Sequence, residues 1–75
     1  MKNIKMYLDS ENVDYKEVKG GGHSPYLKFM MGSQMYLITG YGKHYDLETI
    51  NQDMHFETKT QKSMVMMLTR LKAVS

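Results

Sequence analysis

The sequence has no cysteine and no tryptophan, and only one of its 75 residues is a proline. The lack of cysteine excludes disulfide bonds and thiolate zinc sites, on which very small domains often depend. No apolar run approaches the roughly 18 residues that suggest a membrane-spanning helix. The polar start, Met1 to Lys5, is unlike the apolar region of a signal peptide. We therefore expect a single soluble, cytoplasmic domain over residues 1–75, with no membrane partner.

Arginine is scarce as well, and the overall charge is low. The chain has a single arginine, so lysines and backbone amides must make most contacts to phosphate. The net charge is only +2, but no acidic residue lies between Val18 and Tyr45 or after Glu57. These two basic segments predict a modest anion-binding surface, with an ordinary solvated surface of mixed charge as the alternative.

Hydrophobic spacing predicts a helix near each end of the chain. Asn3 is placed to cap a helix over residues 3–11, in which Ile4, Tyr7 and Leu8 follow the i, i+3, i+4 pattern. A second amphipathic helix is expected over residues 60–72. Its apolar stripe consists of Met64, Val65, Met67, Leu68 and Leu71.

Between the helices the composition favours strands. Residues 13–19 predict a short strand, and residues 25–31 and 35–39 predict a hairpin with Gly32-Ser33-Gln34 between its strands. Residues 43–57 give a weaker pattern and are interpreted as a loop or a poor strand near residues 54–56. The expected fold is α+β, a small α-β-β-β-α sandwich with a three-stranded antiparallel sheet and two helices on one face. The expected core residues are Leu27, Phe29, Leu37, Leu68 and Leu71.

The segment Gly20-Gly21-Gly22-His23-Ser24-Pro25 carries the clearest chemical signal. Glycines allow the backbone to approach a phosphate closely, and a histidine can move protons near neutral pH. RNA cleavage without a metal needs a base for the 2′-hydroxyl and cations for the charged phosphorane. His23 is the candidate base. The candidate nucleic-acid contacts are Lys16, Lys19, Gly21, Gly22, Lys28 and Lys43.

The chain resembles the double-stranded-RNA-binding-domain-like topology and, within it, the HicA family of small bacterial toxins. The matching residues are Tyr15-Lys16-Glu17-Val18-Lys19-Gly20-Gly21-Gly22-His23 and the strand Tyr26-Leu27-Lys28-Phe29. The resemblance implies an mRNA-cleaving endoribonuclease with His23 in the catalytic position and an antitoxin as its partner. After Thr39 the chain departs from the family, with an acidic insertion through Glu57 and no Gly-Thr-Leu step before Met64.

Other functions are open at this point. The spacings of His23, His44 and His55 match no standard zinc pattern, so we expect neither a metal site nor a cofactor. The nine methionines are typical of adaptable binding surfaces, which favours a non-catalytic phage or mobile-element protein that inhibits a host protein. A homodimer with Met30 and Tyr36 on an exposed sheet face is a further alternative.

Aromatic residues suited to stacking RNA bases are Tyr26, Phe29, Tyr36, Tyr41 and Tyr45.

Overall fold

The computed structural model describes residues 1–51 and 53–74. These residues form two helices and five strands around one antiparallel sheet. In chain order they are α1 (Lys2–Ser10), β1 (Tyr15–Val18), β2 (Tyr26–Met31), β3 (Gln34–Gly40), β4 (Tyr45–Thr49), β5 (His55–Thr58) and α2 (Gln61–Val74). The strands lie side by side in chain order, so β1 and β5 are the edge strands.

The α+β class and both helices are confirmed, but the prediction of three strands is wrong. Residues 43–57, interpreted as a loop or a poor strand near residues 54–56, contain all of β4 and the start of β5. In β4 the inward residues Tyr45, Leu47 and Thr49 alternate with the outward acids Asp46 and Glu48. Such alternation is typical of a half-buried strand, although acids have low strand propensity and obscured the pattern.

One face of the sheet packs against both helices and forms the core. The buried side chains are Ile4, Leu8, Leu27, Phe29, Met31, Tyr36, Ile38, Leu47, Met64 and Leu68. The predicted burial of Leu27, Phe29 and Leu68 is confirmed. The prediction for Leu37 is wrong, because Phe29 pairs with Tyr36 across β2 and β3 and the strand alternation turns Leu37 to the other face. Leu71 is only half-buried against the core.

The other face of the sheet, which we call the open face, points away from the helices. Strand alternation and register assign its residues. They are Lys16 and Val18 on β1; Tyr26, Lys28 and Met30 on β2; Met35, Leu37 and Thr39 on β3; Asp46 and Glu48 on β4; and His55 and Glu57 on β5. Tyr36 is buried in the core, so the predicted placement of Tyr36 beside Met30 on an exposed face is wrong.

The N-terminus of α1 is capped by α2 rather than by Asn3. Asn3 lies inside the first turn, and its backbone N–H donates to Oε1 of Gln61 at 2.8 Å. The N–H of Ile4 lies 3.4 Å from the same oxygen. Two of the four N–H groups that a helix start leaves unpaired are thus satisfied by a side chain 58 residues away. The prediction that Asn3 caps α1 is therefore wrong.

Replacing Gln61 by alanine is expected to lower the free energy of unfolding by about 1 kcal/mol, the usual cost of a lost helix cap. Gln61→Glu is the matched control, because its carboxylate accepts the same hydrogen bonds and favours a helix N-terminus. Urea unfolding followed by circular dichroism measures both variants. Equal destabilisation by alanine and glutamate would contradict the capping role.

An ion pair connects α1 to the edge strand β1. Nζ of Lys5 lies 2.6 Å from Oε2 of Glu17, and Nζ of Lys19 lies 3.8 Å from Oε1 of the same residue. The hydrogen bond from Lys5 lowers the pKa of the Glu17 carboxyl. A lowered pKa in the folded state means that the pair stabilises the fold above the ordinary carboxyl range and that this contribution is lost as the pH falls.

Candidate nucleic-acid interface

Two lysines lie directly opposite each other on the open face. Lys16 of β1 pairs with Lys28 of β2 in the antiparallel register, and both side chains are exposed. Among the described residues, no carboxylate forms an ion pair with either lysine. Like charges directly opposite on a sheet are destabilising, so this position favours an anion that bridges the two ammonium groups.

A shallow groove of about 370 Å³ runs beside these lysines. Its walls include Met30 and Met35, and Asp14 is the acidic residue among those lining it. Methionine surfaces adapt to flat ligands, whereas lysines supply the charge. The groove therefore combines apolar contact area with a local positive potential.

The far half of the open face has the opposite charge. Asp46 and Glu48 point outward from β4, and Glu57 points outward from β5 beside Asp46. We call Lys16, Lys28 and their surroundings the basic half, and the outward side of β4 and β5 the acidic half. A polyanion is attracted by the basic half and repelled by the acidic half, so the charge pattern limits a nucleic acid to β1 and β2.

The glycine loop between β1 and β2 has an unusual backbone. Gly20, Gly21 and Gly22 all have positive φ, at 83°, 68° and 78°. Side-chain-bearing residues rarely adopt this conformation, which explains why the segment is glycine. A Cβ added at Gly21 would also lie 3.3 Å from Nε2 of His23. The loop thus leaves room for the imidazole to lie over its own backbone.

His23 is exposed and held in one ring orientation. Its Nδ1 lies 3.0 Å from the carbonyl oxygen of Ser24. Since a carbonyl oxygen only accepts, Nδ1 carries the hydrogen of this bond, and the neutral ring keeps its lone pair on Nε2. The centroid of the His23 ring lies 5.8 Å from that of Tyr26. Tyr26 is the first residue of β2 on the open face. When Nδ1 donates this hydrogen bond, Nε2 is the ring nitrogen that is able to accept a proton.

The remaining predicted contacts are not all brought together. Lys19 is within 4 Å of Glu17, which partly neutralises its charge. Lys43 is exposed in the loop between β3 and β4. That loop and the glycine loop lie at the same end of the sheet, joined by a hydrogen bond from the Gly40 N–H to the Pro25 carbonyl at 3.0 Å. Lys16 and Lys28 lie along the strands, on the far side of Tyr26 from His23.

The aromatic residues divide between the core and the surface. Phe29 and Tyr36 are buried and stack on each other, with ring centroids 5.7 Å apart. Tyr45 packs against the core as well. Tyr26 on the open face and Tyr41, which stacks on His44 at 4.9 Å, are the aromatics placed to meet a base.

Sequence reasoning missed the acidic half of the open face. Its signal was present as the alternation of β4, in which outward acids flank the inward Leu47.

Comparisons with protein families, curated proteins and solved structures find no match for this chain. Within residues 1–51 and 53–74, neither helix is long and apolar enough to cross a membrane.

Proposed function

We propose that the protein binds single-stranded RNA on the basic half of its open face, with His23 as the base of an endoribonuclease. The observation that carries the proposal is the pair Lys16–Lys28, opposed across β1 and β2 without an ion-paired carboxylate among the described residues. Phosphates of the RNA bridge these two lysines, and the ring of Tyr26 stacks on an RNA base. The Gly21 and Gly22 backbone and Lys43 lie at the same end of the sheet as His23 and extend the interface there.

The orientation of His23 supports the cleavage step. Nε2 takes the proton of a 2′-hydroxyl, the resulting oxygen attacks the adjacent phosphorus, and the 5′-oxygen leaves and is protonated by water. The His23 side chain is exposed next to Tyr26, and Nε2, which lies over the Gly21 backbone, turns outward to meet the RNA in this proposal. This role for His23 is also the one that the HicA resemblance implies, with an antitoxin as the natural inhibitor. That resemblance stays a prediction, since no matching family or structure supports or refutes it.

Charge reversal at Lys28 is expected to weaken RNA binding about tenfold at low salt, equivalent to about 1.4 kcal/mol. The loss is the same for all RNA sequences, because phosphate contacts carry no sequence information. Fluorescence anisotropy with a labelled RNA oligonucleotide measures it. With two phosphates neutralised, log K against log salt has a slope of about −1.4 for the parent protein.

Lys59→Glu is the matched control, because Lys59 is exposed, lies outside the strands between β5 and α2, and undergoes the same change of charge far from β1 and β2 in the strand order. Equal weakening by both reversals, or no RNA binding at low salt, would reject the proposed interface.

A protein partner is the second candidate, and the apolar centre of the open face favours it. Met30 is 50% exposed, and Met35 and Leu37 are half-buried beside it. Exposed apolar patches flanked by charge mark protein interfaces. An antitoxin, a host protein or a second copy of this chain are the candidate partners. Sedimentation at high concentration tests the homodimer directly, and a monomer there excludes it.

A further inference from the structure

Four metal-ligating side chains converge on the acidic half of the open face. They are His44, just before β4, Asp46 on β4, and His55 and Glu57 on β5. Nε2 of His44 lies 3.8 Å and Nε2 of His55 lies 3.6 Å from the same Asp46 oxygen, Oδ1. One ligand atom each of His44, Asp46 and Glu57 lies within 4.8 Å of the other two. We propose that these side chains bind a single Zn²⁺ ion.

The state of Asp46 is the second observation that points to a ligand. Its side chain is 20% exposed, but Oδ1 itself is buried and has no hydrogen-bond partner among the described residues. Both imidazole nitrogens approach this oxygen at distances too long for a hydrogen bond. A buried carboxylate oxygen without a partner is costly, and a bound ion is one of the few arrangements that satisfies it.

The geometry is close to that of a zinc site. Zinc binds imidazole nitrogen and carboxylate oxygen at about 2.0–2.2 Å, so neighbouring ligand atoms in a tetrahedral site lie about 3.3 Å apart. The separations of 3.6 and 3.8 Å from Asp46 Oδ1 to the two imidazoles exceed this value by a few tenths of an ångström. His55 lies outside the group of three side chains whose ligand atoms are all within 4.8 Å of one another, so its imidazole also has to move toward His44 and Glu57 when the ion binds. Two imidazoles with two carboxylates select zinc over Mg²⁺ or Ca²⁺, which prefer oxygen ligands.

The sheet register explains why these residues meet. Asp46 pairs with Glu57 across β4 and β5, and His55 pairs with Glu48 two residues further along β4. His44 and Asp46 are two residues apart, as are His55 and Glu57. Because side chains alternate along a strand, this spacing puts the two residues of each set on the same face of the sheet. Bound zinc would tie the edge strand β5 and the loop before β4 to the centre of the sheet. The site uses neither Lys16 nor Lys28, so it stands independently of the proposed RNA interface.

Isothermal titration with zinc chloride tests the site on the full chain. We expect one Zn²⁺ per chain, a higher melting temperature with zinc, and no comparable effect of magnesium chloride. Asp46→Asn and His55→Gln are expected to weaken zinc binding by more than about tenfold. His23→Gln is the matched control, because it removes a histidine of the glycine loop and leaves the cluster intact.

Nuclear magnetic resonance gives an independent readout. The ring protons of His44 and His55 are expected to shift on adding zinc, while those of His23 stay in place. The site would be overturned if zinc binds no more tightly than magnesium. It would also be overturned if His23→Gln weakens zinc binding as much as Asp46→Asn and His55→Gln, or if the His23 ring shifts most.

Discussion

Replacing Phe29 by alanine is expected to lower the free energy of unfolding by about 3–5 kcal/mol. Phe29 is only 2% exposed and sits at the centre of the inward face of β2, stacked on Tyr36. The loss combines the transfer energy of the ring with the cavity that it leaves. A domain of this size commonly has only a few kcal/mol of stability, so most molecules are expected to unfold at room temperature.

Met30→Ala is the matched control for Phe29→Ala. Met30 is the next residue on the same strand, but it points to the open face and is 50% exposed. Truncating Met30 is expected to lower the free energy of unfolding by less than about 1 kcal/mol. Thermal unfolding followed by circular dichroism compares the two variants with the parent protein. Similar melting temperatures for Phe29→Ala and the parent would contradict the core assignment.

His23→Gln is expected to reduce RNA cleavage by about 10²–10⁴-fold, the usual contribution of a positioned general base. Glutamine retains a polar side chain of similar size but takes up no proton at neutral pH. RNA affinity is expected to change little, because the phosphate contacts are assigned to Lys16 and Lys28. Gel analysis of a labelled RNA under single-turnover conditions measures cleavage separately from binding.

The control for this loss is His55→Gln, the same substitution at a histidine on the acidic half of the open face. In zinc-free buffer it is expected to cleave as fast as the parent, because the cluster around Asp46 contains none of the residues assigned to RNA binding or cleavage. Cleavage by His23→Gln at the parental rate would remove His23 from the mechanism while leaving the binding proposal in place.

Strong local patterns account for what the sequence could predict. The two helices and the β2–β3 hairpin follow from apolar periodicity and from Gly32, whose φ of 63° suits the first position of a tight turn. The alternation in β2 puts Leu27, Phe29 and Met31 on one buried face, of which the sequence predicted Leu27 and Phe29. Residue Gln52, within the poorly patterned segment, lies outside the described residues.

Features that depend on contacts between distant segments were missed. In β3 the consecutive apolar residues 35–38 carry no alternation, so only pairing with β2 shows that Leu37 faces outward. The cap on α1 comes from Gln61, which no local signal at Asn3 reveals. The cluster around Asp46 needs the β4–β5 register, although the two pairs of His and acid at i, i+2 spacing were a usable hint.

The open face as an RNA interface is tested most directly by mapping amide shifts of ¹⁵N-labelled protein during titration with a short single-stranded RNA. We expect the largest changes on β1, β2 and the glycine loop, around Lys16, Lys28 and His23, with β5 and the exposed sides of α1 and α2 nearly unchanged. Shifts concentrated on the helices or on the acidic half, or no shifts at low salt, would contradict it.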